Sequence, residues 1–164
     1  MKHFAIVTAL ALCAAPAVHA QDEIATDRPD FVESSNVVGK DRLQVETSLL
    51  LERNRSGGAR DRTASTPTLL RYGIGETFEL RAETDGRIVN HHTDGGGRST
   101  QAGYADTSLG LKWHAMDAAG SLPSVGVLLH ADLDSGSRAF RGQGLRPSLR
   151  VVGEWDCRTT CRWA

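Results

Sequence analysis

The chain has 164 residues, enough for one domain with a core of its own. Lysine plus arginine number 19 and aspartate plus glutamate 20, and a formal net charge of −1 gives nucleic acid no electrostatic reason to bind. Mean hydropathy is −0.31 and no later apolar run is long enough for a spanning helix. That argues against a helical membrane protein but leaves both a soluble sheet and a transmembrane barrel, whose strands are half polar.

Residues 1–20 read as a secretory signal peptide. Lys2 and His3 give a positive start, residues 4–18 an apolar run, and Val18-His19-Ala20 a small-x-small cleavage site. Leu12 precedes Cys13 where a lipoprotein signal needs a small residue. The mature chain is expected to begin at Gln21, in an oxidising compartment outside the cytoplasm. Cys157 and Cys161 then remain, as a C-x-x-x-C pair able to form a disulfide or stay free. No further Cys or His ligand near them suits a metal.

Residues 21–42 are polar and aperiodic, punctuated by Pro29 and Gly39. This stretch, with its Asp27-Arg28-Pro29-Asp30, is a leader that either folds against the strands as a plug or trails as a periplasmic tail.

Residues 43–52 form the first clear strand. Leu43, Val45, Thr47, Leu49 and Leu51 share one face, and Gln44, Glu46, Ser48 and Glu52 the other. An Arg-, Gly- and Ser-rich loop is expected over 53–62. Residues 66–85 then read as two strands around a tight turn, with Gly73 and Gly75 supplying positive φ. Facing Tyr72 with Phe78, Leu70 with Leu80 and Thr68 with Ala82 puts Arg71 opposite Glu79.

A long polar loop is expected over 86–103. In the strand at 105–113, Thr107, Leu109, Leu111 and Trp113 oppose Asp106, Ser108, Gly110 and Lys112. After a turn over 114–123, a strand at 124–134 sets Val125, Val127, Leu129, Ala131 and Leu133 against Gly126, His130, Asp132 and Asp134. A polar loop over 135–145 leads to a strand at 146–155, with Leu149, Val151 and Trp155 against Ser148, Arg150 and Glu154.

The fold expected is all-β: an antiparallel meander of an outer-membrane up-and-down β-barrel, about six strands of it, covering residues 43–156. These strands are of bilayer-crossing length, longer than usual soluble strands. Long polar connections on one side and short turns on the other are the asymmetry of such barrels. Aromatic content of 5% is low for full girdles, yet Tyr72, Phe78, Trp113 and Trp155 fall at strand ends on the short-turn side, as a partial lipid-boundary ring. The alternation stops at Asp156, six strands fall short of the roughly eight that closure needs, and residues 157–164 carry no strand pattern. The sequence is therefore expected to be a fragment or the product of a frameshift.

In this reading Arg71, Glu79, Arg81, Glu83, Asp106, Lys112, His130, Asp132, Asp134, Arg150 and Glu154 line the lumen. They act either as inter-strand ion pairs that stiffen the barrel or as a charged path for a polar solute, with mixed signs that give no strong ion selectivity. His91, His92 and Asp94 are metal-capable, but a Gly-rich loop does not hold ligands in place. Ser108, His130 and Asp132 contain the residue types of a hydrolase triad without a nucleophile-elbow motif, and His130 and Asp132 are about 7 Å apart along the strand. Neither enzymatic activity nor a cofactor is expected.

The motifs Ile24-Ala-Thr-Asp-Arg-Pro-Asp30, Val38-Gly-Lys-Asp-Arg-Leu-Gln-Val-Glu46, Pro67-Thr-Leu-Leu-Arg-Tyr-Gly-Ile-Gly75, Phe78-Glu-Leu-Arg81, Gly103-Tyr-Ala-Asp-Thr-Ser-Leu-Gly-Leu-Lys-Trp113 and Arg150-Val-Val-Gly-Glu-Trp155 stand in order along the chain. Together they resemble the Gram-negative family labelled "putative MetA-pathway of phenol degradation", grouped with functional-amyloid secretion channels. The resemblance covers roughly residues 24–156. It implies an outer-membrane β-barrel of transporter type, whose partners are outer-membrane lipid and a small solute or exported polypeptide. It also implies further strands beyond those present. The alternative is a soluble periplasmic β-sandwich that binds a ligand, with Leu49, Leu80, Leu111, Leu129 and Val151 in its core.

Overall fold

The structure, a computed structural model, describes residues 26–27 and 33–155. The signal peptide and the Cys157–Cys161 pair lie outside the described residues. All regular structure among these is β, in ten antiparallel strands: β1 Leu43–Thr47, β2 Leu50–Ser56, β3 Ala59–Ser65, β4 Thr68–Gly73, β5 Phe78–Thr84, β6 Arg87–Asp94, β7 Gly97–Tyr104, β8 Thr107–Met116, β9 Ser124–Asp132 and β10 Arg146–Glu154. They make a six-stranded sheet in the order β1-β4-β5-β8-β9-β10 and a four-stranded sheet in the order β2-β3-β6-β7.

Ten segments arise from six long strands because four are interrupted along one transverse line. β1 runs into β2 across Ser48 and Leu49, β3 into β4 across Thr66 and Pro67, β5 into β6 across Asp85 and Gly86, and β7 into β8 across Ala105 and Asp106. Backbone bonds stitch the line together: Ser48 N–H to Pro67 O at 3.0 Å, Thr66 N–H to Asp85 O at 3.2 Å and Ala105 N–H to Gly86 O at 2.9 Å. Pro67 cannot donate to a ladder, and Gly86 sits at φ 66° as a bulge residue.

Two expected loops are therefore strands. Residues 53–62 form the β2–β3 hairpin, closed by Gly57 and Gly58 at φ 57° and 86°, the geometry of a two-residue type I′ turn. Residues 86–103 form the β6–β7 hairpin, with Asp94 opposite Gly97. Polar residues on both faces hide the period of two from a hydropathy reading, while the glycine turns supply the hairpins. Residues 135–145 contain no strand, and β9 ends at Asp132, so Asp134 lies outside it.

The β4–β5 register also differs from the expected one. Tyr72 faces Leu80, Leu70 faces Ala82 and Arg71 faces Arg81. Gly73 still pairs, opposite Glu79, so the loop moves by one residue along the chain at the same length and the register shifts by two residues without exchanging faces. Neither Gly73 nor Gly75 has positive φ. Gly73 is needed for another reason: a Cβ there would lie 2.1 Å from Gly39 O, because the leader crosses over it.

Packing is inverted relative to a soluble domain. Among the described residues the buried large hydrophobic side chains are three, Val38, Leu69 and Leu128, whereas 21 are exposed. Leu49 (68% exposed), Leu80 (47%), Leu111 (37%), Leu129 (54%) and Val151 (69%) lie on the open face. This overturns the sandwich core, because no second layer among the described residues covers them. The polar face is the covered one: residues 33–40 of the leader run across it, ending in a parallel bridge from Lys40 to Gly73. The six-stranded sheet is open, β1 and β10 each having one strand neighbour among the described residues.

Candidate functional site: a charge cluster beneath the leader

Alternation along β4, β5 and β8 sends Arg71, Glu79, Arg81 and Lys112 to one face, and β1 adds Glu46. Asp27 of the leader completes the group, and all six side chains are buried. Glu79 accepts from Arg71 Nε at 3.0 Å and from Arg81 Nη1 at 3.1 Å. Arg71 Nη1 reaches Glu46 Oε1 at 3.2 Å. Asp27 Oδ2 takes Lys112 Nζ at 2.8 Å, bonds Arg81 Nη1 and lies 3.7 Å from Arg71 Nη2. Three carboxylates thus meet three cations, and the cluster is formally neutral, which makes its burial tolerable.

The leader is bound into this cluster through its backbone. Asp27 N–H donates to Glu46 Oε2 at 3.0 Å, Val38 N–H to Glu79 Oε2 at 2.7 Å, and Arg71 Nη2 donates to Asn36 O at 3.0 Å. A second anchor lies toward β9 and β10. Ser35 donates to Glu154 from its backbone at 2.8 Å and also from its hydroxyl, which contacts Ser124 Oγ at 2.7 Å. Arg150 Nη1 donates to Glu33 Oε1 at 2.7 Å.

The remaining expected lining residues separate. Glu83 is half-buried on the polar face of β5. His130 is buried opposite Gly110, where a Cβ would come 2.0 Å from the imidazole Cδ2, and its Nε2 has no hydrogen-bond partner among the described residues. Asp132 accepts from Ser108 Oγ at 2.5 Å, so serine pairs with the carboxylate and His130 stands apart from both. Asp106 anchors the 135–145 loop. The Arg146 guanidinium at 2.8 Å and the backbone N–H groups of Gly142 and Gly136 hold its carboxyl well below the usual range. Asp134 is exposed and pairs with Arg141 at 3.6 Å.

His91 and His92 point to opposite faces of β6. His91 Nδ1 meets Thr100 Oγ1 at 2.8 Å, while His92 bridges Asp61 at 2.7 Å and Asp94 at 3.3 Å. Those two carboxylates, Asp61 first, raise the His92 pKa. No group of three or more His, Cys, Asp or Glu side chains able to hold a metal occurs among the described residues. On the open face Phe78 stacks on Trp113 with centroids 6.1 Å apart, and Tyr72 and Trp155 are exposed.

The expected lining residues leave out Glu33, Ser35 and Glu46, and Asp27 enters the expectation only within a leader read as either plug or tail. Glu46 was recoverable from its place on the polar face of its strand. The leader residues carry no periodicity, and only the fold brings them to the sheet.

The profile of the family described as "Putative MetA-pathway of phenol degradation" matches residues 26–155, from the leader through β10. No curated protein and no solved structure matches the chain.

Proposed function

The chain belongs to the family described as "Putative MetA-pathway of phenol degradation", and from that membership we propose an outer-membrane transport protein whose charged face lines a path for a polar small solute. The observation that carries the reading is the inverted burial, with six charged side chains enclosed and leucines left open. In water, each exposed Leu forgoes about 1.5–3 kcal/mol of burial. In lipid the same face is the favourable one. Leu43 to Leu51 on the open face spans about 26 Å along the strand and about 20 Å in height at a barrel tilt of about 40°, close to the apolar band of outer-membrane proteins.

The spanning strands in this reading are β1 continued into the start of β2, together with β4, β5, β8, β9 and β10. In a bilayer the edge amides of β1 and β10 require partner strands, because each unpaired group costs several kcal/mol. The leader over the charged face acts as a gate. Opening it exchanges the Asp27 bonds to Lys112 and Arg81, and the backbone bonds to Glu46 and Glu79, for water or solute. Mixed charges favour polar solutes without strong ion selectivity.

Export under the expected signal peptide, followed by fractionation, tests the proposal. The full chain should co-sediment with the outer membrane, need detergent for extraction, and migrate differently on SDS gels before and after heating. In planar bilayers Lys112→Met should raise conductance by loosening the leader. Recovery as a detergent-independent periplasmic species would overturn it in favour of a soluble binding protein.

A further inference from the structure

The hairpins above the interruption line carry a second site. On β2 and β3, Arg53 faces Arg62 and Arg55 faces Arg60. Like charges set directly opposite are unfavourable in a ladder. Pairing continues from Arg60 to Thr93 and on to Arg98, and from Arg62 to His91. Directly paired residues share a face, so these five arginines and His91 lie on the same side of this four-stranded sheet. The acids of these strands, Glu52, Asp61 and Asp94, fall on the other side. None of the five arginines forms an ion pair among the described residues, and all are exposed. Arg60, Arg62, His91, Thr93 and Arg98 enclose an open cavity of about 350 Å³, ample for a phosphate group.

The position of this face identifies its ligand. Thr47 pairs with Thr68 below the interruption and Leu50 with Ser65 above it, with no change of register. The odd residues of β1 and β2 therefore keep one face from Leu43 through Leu51 to Arg53 and Arg55. Arg53 stands about 7 Å beyond Leu51 along the strand, which is the depth of the headgroup layer when Leu51 marks the edge of the hydrocarbon.

We propose that this arginine face binds the phosphate groups of an anionic membrane lipid, the cations accepting the headgroup while the leucine face below meets its acyl chains. The inference rests on the membrane reading above. Guanidinium forks suit phosphate oxygens, and ligand charge relieves the two arginine–arginine oppositions.

The test uses the full chain in uncharged detergent and fluorescently labelled lipid A, a phosphorylated glycolipid, followed by anisotropy. Wild-type chain should bind it, and bind the dephosphorylated lipid at least tenfold more weakly. Arg60→Ala with Arg62→Ala should lower affinity about thirtyfold, and Arg60→Lys with Arg62→Lys much less. These side chains are exposed, and an unchanged heat-dependent gel shift verifies that the variants fold. Equal binding by wild type and the alanine variant, or of phosphorylated and dephosphorylated lipid, overturns the proposal while the membrane reading stands. Displacement of the lipid by equimolar inorganic phosphate also overturns it, in favour of a free-anion site. A chain that stays in water without detergent overturns both readings.

Discussion

Replacing Lys112 by methionine isolates the bond that ties the leader to the sheet. Lys112 is fully buried and its Nζ lies 2.8 Å from Asp27 Oδ2. Its loss leaves three buried carboxylates against two cations, and breaking a buried pair by removing one partner costs about 3–5 kcal/mol. Adding Asp27→Asn restores neutrality, because Glu46 and Glu79 then face Arg71 and Arg81 alone. The double variant should recover about 2–3 kcal/mol of that loss as a coupling term. Urea unfolding of the full chain refolded in detergent micelles measures all four corners of the cycle, and limited proteolysis of the leader reports its detachment. If the two substitutions prove additive, Asp27 and Lys112 do not act as a buried pair and the gate argument fails.

Gly73→Ala places a Cβ 2.1 Å from Gly39 O and 2.6 Å from Val38 O. It should cost about 1–3 kcal/mol and expose the leader to protease while β4 and β5 stay protected from amide exchange. Gly110→Ala drives a Cβ into the His130 ring. The expected loss is similar, and His130→Ala in the same chain should restore urea resistance. The depressed pKa of Asp106 stabilises the 135–145 loop fully above the ordinary carboxylate value of 3.8, and that contribution is lost as pH falls below it. Exchange of the Gly136 and Gly142 amides should accelerate in acid, and Asp106→Asn should make it fast at neutral pH. The raised pKa of His92 works in the opposite direction, its contribution being complete below pH 6.5 and lost as pH rises through the folded value. The β6–β7 hairpin should exchange faster in mild alkali, a change that His92→Gln abolishes.

Legibility in the sequence followed how local each feature is. The polar and apolar faces of β4, β5 and β8 were readable because side chains alternate with a period of two whatever the partner strand. Glu46 could be read the same way. The outer hairpins were not readable, since Arg53, Arg55, Arg60 and Arg62 give a hydropathy pattern no different from a loop. Their meaning appears only when cross-strand pairing sorts arginines to one face and acids to the other. Arg71 opposite Glu79 was the wrong pair in a correct neighbourhood. A shift of two residues preserves faces, so local pattern cannot detect it, and the ion pair survives along a diagonal.

By itself, then, the sequence determined an all-β chain, the family and the side chains that share each strand face, because these depend on residue type and spacing along one strand. Tertiary structure decided the register, the conversion of two polar stretches into hairpins, and the placement of Asp27, Ser35 and Val38 on the charged face. Each of those depends on hydrogen bonds between groups far apart in the chain. The leader is held through its backbone, such as Val38 N–H on the carboxylate of Glu79, so its place on the sheet leaves no period in its own residues.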